Sequence, residues 1–297
     1  TKQDSYPLKI NTCTNCFHTQ LSVVVNPDLM FKDYLYVSGT SKTLQKYFEE
    51  FVDLCEKYIG TAEQVSTYID FIEHEDPKLQ PTSTFKQGTA RVLDIACNDG
   101  TQLDKFKEKG WTTFGVDPAE NLFESSSKNH TVKCEYWNEE VASSFKEKFH
   151  LITAQNVFAH VDDIHSFLKS CALSLEPRGW LVIQTSQADM IVDNQFDTIY
   201  HEHLSFFSTM SMMKCANENN FNLVNVEKTS VHGGSYVFFL RYNRGEQLLA
   251  EDQLNIEARN GVYNIETYKE YGKKCRKVVK DFSKKVLEFR KKGYKVV

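Results

Sequence analysis

What this sequence lacks narrows its class before any motif is read. No apolar run approaches the roughly 18 residues a transmembrane helix needs, and no secretory signal opens the chain. Neither a membrane partner nor export is therefore expected. Positive charge is not in excess: 35 Lys and Arg stand against 40 Asp and Glu, a formal net charge of −5. That balance argues against a broad basic surface for nucleic acid. Eight cysteines are scattered apart from one Cys-x-x-Cys, which implies reduced thiols and a cytoplasmic setting, not a disulfide framework. There is no Gly-x-Gly-x-x-Gly, so a dinucleotide pyrophosphate site is disfavoured. His-Glu-x-x-His, the spacing that sets two zinc-binding histidines on one helical face, is also missing.

What is present, 41% hydrophobic and 25% charged residues over 297 positions, fits one large globular domain or two modest ones. Residues 1–38 read as a small lobe in which Cys13-Thr-Asn-Cys16 lies between the strand-like runs Leu8–Ile10 and Gln20–Val25. Two thiolates at that spacing can hold half of a tetrahedral zinc site. The other half would precede Thr1, or His18 would contribute, or these are two ordinary thiols. A helix follows from Ser41, a plausible N-cap, through Leu44, Tyr47, Phe48, Phe51, Cys55, Tyr58 and Ile59 to a stop at Gly60. The run from Ala62 to Gly88, with Pro77 and Pro81, reads as a weak helix and then a loop. The chain opens without methionine and closes on a turn and a strand-like Tyr294-Lys-Val-Val297, so it is expected to continue beyond both ends.

From Arg91 the pattern alternates between strands and helices. Strands are expected at Arg91–Ala96, Trp111–Val116, Thr131–Trp137, Leu151–Gln155 and Trp180–Thr185, with helices at Thr101–Lys109 and Asp162–Leu175 and a Pro177-Arg-Gly179 turn. This rhythm predicts a doubly wound α/β sheet with right-handed crossovers. A helix over Thr209–Asn219 is followed by two strands, Leu223–Lys228 and Tyr236–Arg241, close enough to pair as an antiparallel hairpin. A parallel sheet ending in such a hairpin resembles the Rossmann-like class I methyltransferase sheet, which is the expected fold. Beyond Gln247 the chain is charged and helical, and Val278, Phe282, Val286 and Phe289 make one stripe, read as a packing face. The expected division is residues 1–38, a methyltransferase domain over 39–245, and a helical segment over 246–297.

Three stretches carry candidate chemistry. Asp94-Ile-Ala-Cys-Asn-Asp-Gly100 is a strand–turn–helix junction with one glycine, suited to a cofactor without a phosphate to cradle. Asp117 ends the next strand, where a carboxylate could accept both hydroxyls of a ribose; the alternative is that Asp94 and Asp117 only cap loops. Gln155-Asn-Val-Phe-Ala-His-Val161 lies at the carboxyl edge of the sheet, where ligands bind in open α/β folds. The densest stretch is Thr198-Ile-Tyr-His-Glu-His-Leu-Ser-Phe-Phe-Ser208. Its Tyr200, His201, Glu202 and His203 can each donate, accept or shuttle a proton near neutral pH.

Taken together, these blocks resemble the nucleotide-sugar C-methyltransferases of deoxysugar biosynthesis, which act on TDP-linked 4-keto sugars. The matching residues are Cys13–Leu21, Asp33–Tyr36, Asp94–Gly100, Gly115–Ala119, Asn156–Val161, Asp197–Leu204 and His232-Gly-Gly-Ser235, in order over nearly the whole chain. The resemblance implies an S-adenosylmethionine-dependent enzyme with a zinc-ribbon-like N-terminal lobe, in which Cys13 and Cys16 are half of a four-cysteine site completed in the intact protein. It also implies a further C-terminal domain. Asp94, Ala96, Asn98, Gly100, Asp117 and Asn156 would hold the cofactor. His203 is the first candidate for the base that removes a proton next to the ketone, with Tyr200 sharing that task or donating to the enolate oxygen. Glu202, His160 and Tyr36, ahead of Tyr34, would complete the catalytic site. Tyr34, His201, His232, Gly233 and Ser235 would bind the nucleotide-linked sugar. The sequence departs from the family pattern at Ala96 (usually glycine), Cys97 (a small or hydroxyl residue) and Gln184 (usually glutamate). The alternatives are O- or N-methylation of a nucleotide sugar, or a non-catalytic relative that binds one.

Overall fold

The computed structural model describes residues 5–67, 89–186, 190–242 and 250–296. The expected loop with Pro77 and Pro81 lies outside these residues. The N-terminal strands β1 (Ile10–Thr12) and β2 (Thr19–Leu21) pair antiparallel. After a short helix α1 (Asp28–Phe31), α2 spans Lys42–Ile59. Its limits follow the sequence: Ser41 Oγ accepts from Leu44 N at 3.3 Å, and Gly60 leaves the helix at φ 103°. Then come β3 (Arg91–Ile95), α3 (Thr101–Glu108), β4 (Thr112–Val116), the short α4 (Phe123–Ser127), β5 (Thr131–Lys133) and α5 (Glu139–Ser143). They are followed by β6 (Phe149–Gln155), α6 (Ile164–Ser174), β7 (Leu175–Ser186), β8 (Ser205–Phe206) and α7 (Thr209–Glu218). Last are β9 (Phe221–Thr229), β10 (Ser235–Tyr242), α8 (Glu251–Arg259) and α9 (Ile265–Lys291).

Seven strands form the main sheet in the order β5–β4–β3–β6–β7–β10–β9. The first five are mutually parallel, and β10 runs antiparallel to both β7 and β9. This is the Rossmann-like class I methyltransferase sheet with its terminal hairpin. Because side chains alternate across a strand, each buried strand feeds two cores. Val92, Leu151, Val182, Val237 and Phe239 meet the apolar face of α2, Leu44 to Cys55. Leu93, Ile152, Leu181, Ile183 and Phe238 face the other side, with α6 and α7. Each large side chain so buried contributes about 1.5–3 kcal/mol.

Four expectations need correction. The third strand stops at Lys133, four residues before Trp137. The turn at Pro177–Gly179 does not precede the fifth strand but lies within it as an irregularity: the β6–β7 register shifts between Phe149 and Leu151, and Arg178 takes φ 64°. The N-terminal sheet has a third strand, β8, drawn from the Tyr200–Phe207 stretch. Finally, the stripe on α9 is not buried as a packing face: Val278, Phe282 and Phe289 are exposed, Phe282 by 68%, and Phe289 meets the ring of Tyr294 just past the helix at 5.7 Å. The helix is held near its start, where Tyr271 Oη donates to Gln195 O at 2.6 Å. No helix among the described residues is long and apolar enough to cross a membrane.

Candidate active site

A cavity of about 380 Å³ opens at the carboxyl ends of β3, β4 and β6. Its floor is the loop after β3, which reverses direction through three left-handed residues: Ala96 at φ 62°, Asn98 at 51° and Gly100 at 87°. Ala96 N and Cys97 N both donate to Val116 O, at 2.7 and 3.3 Å. A left-handed alanine costs roughly 1–2 kcal/mol that glycine avoids, which gives the departure at Ala96 a physical meaning. Gly100 does not line the cavity; it starts α3, and a Cβ there would come within 3.2 Å of Ser126 Cα and His130 Cδ2. Its expected role as a cofactor contact is therefore replaced by a backbone role. Cys97 turns inward against Gly115, where any Cβ would stand 2.6 Å from its sulfur.

Asp94, Ala96, Asn98, Asp117 and Asn156, expected to hold the cofactor, all line the cavity. Asp117 accepts from Asn98 N through Oδ2 and from Ala119 N through Oδ1, both at 2.8 Å. A carboxylate offers about four lone-pair positions, so two remain for a diol. Burial raises the Asp117 carboxyl, while the two amide hydrogen bonds oppose the shift. Asp94 accepts from Thr153 Oγ1 at 2.7 Å and is pushed up to about 7 by its burial. Asn156 stands at φ 52° and donates its N–H to Gln184 O at 2.9 Å.

The N-terminal segment closes one wall. Ser38 N donates to Asn98 Oδ1 at 2.9 Å, Asn98 Nδ2 to Tyr36 O at 3.0 Å, and Gly39 N to Asp99 Oδ2 at 2.8 Å. Tyr34 is clamped in the same way, its N donating to Asn121 Oδ1 and its carbonyl accepting from Asn121 Nδ2. Tyr34 and Tyr36 both reach the cavity. Tyr36 is largely exposed, whereas the Tyr34 phenol is pushed up to about 12, first by burial and then by Glu202, Tyr200, Asp117 and Tyr36. The sequence put Tyr36 ahead of Tyr34; in the structure Tyr34 is the more enclosed of the two.

The Tyr200–His203 stretch stands beside the cavity and does not line it; His160, which does, forms the contact, its ring centroid 5.2 Å from that of His203. His203 Nδ1 lies 2.9 Å from Thr198 O and 3.1 Å from Thr198 Oγ1. A carbonyl only accepts, so Nδ1 carries the proton and Nε2 is left basic. Nε2 accepts from Tyr200 Oη at 3.0 Å. His203 is 9% exposed and Tyr200 42%, so the phenol is the outward member of the pair. Burial lowers the His203 imidazole and raises the Tyr200 phenol and the Glu202 carboxyl. His160, stacked on Phe31 at 5.5 Å, is pushed down to about 3 by burial and is neutral.

Of the other expected substrate residues, His232 lines the cavity in a left-handed conformation at φ 52°. Gly233, at φ 78°, completes that turn. Ser235 does not reach the cavity: it is buried and donates to Val231 O at 3.0 Å. His201 is turned toward Tyr6, edge to face at 6.0 Å. Sequence reasoning missed Gln102, Tyr136 and Asp163 in the wall. Tyr136 was hidden inside an expected strand, and nothing in the sequence separates Gln102 from a solvated helix residue.

The lining contains Asp94, Asp117, Glu135, Asp162 and Asp163 and, among the described residues, no Lys or Arg. S-adenosylmethionine carries a sulfonium and an ammonium against one carboxylate, so this donor set fits it. Zinc is not supported by the described residues: Cys13 and Cys16 are free thiols that could supply two ligands of the four a structural site needs, and no group of three or more metal ligands converges among those residues.

The family described as "Methyltransferase domain" matches residues 62–226, more than half of the chain. The chain belongs to this methyltransferase family. It is 29% identical over 240 residues to the C-methyltransferase NovU of Streptomyces niveus, covering 79% of this chain and 51% of that protein. It is 32% identical over 103 residues to a ubiquinone biosynthesis O-methyltransferase of Bradyrhizobium diazoefficiens, covering 33% of this chain and 40% of that protein. The methyltransferase chain thus spans about half the length, or less, of these relatives. A solved S-adenosylmethionine-dependent methyltransferase of Clostridium acetobutylicum overlays at a TM-score of 0.42 with 12% identity, covering 67% of this chain and all of that one. The fold assignment rests on the strand order and not on that overlay.

Proposed function

We propose that this chain transfers a methyl group from S-adenosylmethionine to a carbon next to the ketone of a nucleotide-linked 4-keto deoxysugar. The observation that carries this reading is the Tyr200–His203 pair, a phenol whose proton is already directed at a basic imidazole nitrogen. Forming a carbon–carbon bond at such a position requires loss of the α-proton and stabilisation of the enolate oxygen. The α-proton passes to Tyr200 Oη as the phenolic proton passes to His203 Nε2, leaving an enolate and an imidazolium. Thr198 O fixes the tautomer that makes this possible. Tyr34 stays protonated and donates to the enolate oxygen. The cofactor, held through Asp117 and the loop over Asp94–Gly100, supplies an electrophilic methyl group. Its positioning contributes much of the remaining acceleration.

The cavity lining among the described residues carries carboxylates and no Lys or Arg, which supports a sugar diphosphate lying outside it, with only the sugar ring near His160. The relative NovU is described as a C-methyltransferase, which supports carbon as the acceptor. O-methylation is the second reading, favoured by the ubiquinone biosynthesis O-methyltransferase; it needs a base for a hydroxyl and no enolate. Incubation with TDP-4-keto sugars in deuterium oxide, without methyl donor, separates the two. Label at the α-carbon is expected. Methyl transfer to oxygen with no exchange would replace this reading with the second.

A further inference from the structure

Buried Gln102 on α3, buried Gln184 on β7 and half-buried Gln155 on β6 stand at the ligand edge of the sheet, and their amides are not fully paired. Gln155 Nε2 donates to Gln102 Oε1 at 2.6 Å. That bond leaves Gln102 Nε2 and Gln155 Oε1 without partners, and neither amide atom of Gln184 finds one. Gln184 is 0% exposed and is the cross-strand neighbour of Gln155; Gln102 is 3% exposed. An unsatisfied buried amide is costly, so such a cluster at a cavity wall marks a place where a ligand completes the hydrogen bonding. Gln102 and Gln155 both line the cavity, next to Asp94. Their terminal amide torsions are soft, which lets the free atoms turn toward a bound group.

One free N–H donor and one free carbonyl acceptor, side by side, complement a carboxylate and an ammonium on one carbon. We propose that Gln102 and Gln155 form the subsite for the amino-acid head of S-adenosylmethionine, with Gln102 Nε2 donating to its carboxylate and Gln155 Oε1 accepting from its ammonium. Gln184 stands behind Gln155 as a positioning residue. This rests on the cofactor reading above, and it makes the amide pair the feature that separates the complete cofactor from its truncated nucleoside.

Calorimetric titration with S-adenosylhomocysteine and with 5′-methylthioadenosine, which lacks the amino-acid head, tests it. Wild-type protein binds the former more tightly. Gln102→Leu weakens S-adenosylhomocysteine by about tenfold or more, as loss of a hydrogen bond to a charged group does, and leaves methylthioadenosine within about twofold. Gln102→Glu, which keeps the size but sets like charge against the carboxylate, gives at least as large a selective loss and covers the case in which the leucine variant fails to fold. Unchanged S-adenosylhomocysteine binding in a folded variant, or equal losses for both ligands, overturns the subsite alone. A wild type that binds neither ligand overturns the cofactor reading and the subsite with it.

Discussion

Replacing Tyr200 with phenylalanine removes one oxygen atom and leaves the ring in place. The deleted hydroxyl donates to His203 Nε2 at 3.0 Å from a side chain that is 42% exposed. Water can reach such a site, so the stability cost should be about 1 kcal/mol. If the phenol carries the α-proton to the imidazole, the same change removes a general acid–base step worth about 10²–10⁴ in rate, or about 3–5 kcal/mol of barrier. The two magnitudes differ enough to be told apart. The assay is deuterium incorporation at the α-carbon of a TDP-4-keto sugar, followed by NMR in deuterium oxide without methyl donor, beside calorimetric binding of S-adenosylhomocysteine. Tyr200→Phe should lose at least about a hundredfold in exchange rate while ligand affinity stays within about twofold. Exchange at the wild-type rate would refute the relay. A parallel fall in exchange and ligand binding would also refute it, because the effect would then be on structure.

Further outcomes follow from single contacts. Ala96→Gly relieves a left-handed alanine, worth roughly 1–2 kcal/mol, against an entropy cost of about 0.4–1 kcal/mol in the unfolded chain. The melting temperature should rise by a degree or more in a thermal scan, and a fall would show that the methyl group packs usefully. Asp117→Asn keeps the size but replaces one acceptor oxygen with a donor facing a backbone N–H, so S-adenosylhomocysteine should bind at least about tenfold more weakly by calorimetry. Asp94 is raised to about 7 from an ordinary 3.8. The folded protein therefore holds a proton that the unfolded chain has lost, and Asp94 lowers stability as pH climbs from about 4 to about 7, by at most about 1.4 kcal/mol per pH unit. Denaturant titrations across that range should show Asp94→Asn gaining on the wild type as pH rises; parallel curves would remove Asp94 as the titrating group.

Most of the scaffold was legible because its signals are local. The apolar runs at Arg91–Ala96 and Leu151–Gln155 become the parallel strands β3 and β6, Ser41 and Gly60 bound α2, and the spacing of β9 and β10 forces a hairpin. The failures share a cause. A two-residue strand such as β8 has no periodicity to read, so its pairing with β2 was invisible. The α9 stripe announces an apolar face, but periodicity says nothing about what covers it. Within the site, the strand ends pointed to Asp117 and Asn156, and both line the cavity. Which tyrosine of the N-terminal segment is the more buried depended on the clamp between Tyr34 and Asn121, residues 87 apart in sequence. Gln102 escaped notice, and Gln155 drew attention only through its place at the strand end, because only the fold reveals that their amides are half paired. The order within the acid–base pair was equally hidden, since it follows from Thr198 O fixing the His203 tautomer.

The central claim is that the methyl group ends on carbon. The most direct measurement is NMR of the product formed by the chain from TDP-4-keto sugars and S-adenosylmethionine carrying a ¹³C methyl group. The account predicts one added methylene unit in the mass, with the labelled methyl carbon coupled directly to the sugar carbon beside the ketone. A labelled methyl on oxygen or nitrogen, or S-adenosylmethionine bound without transfer to any keto sugar, would contradict it.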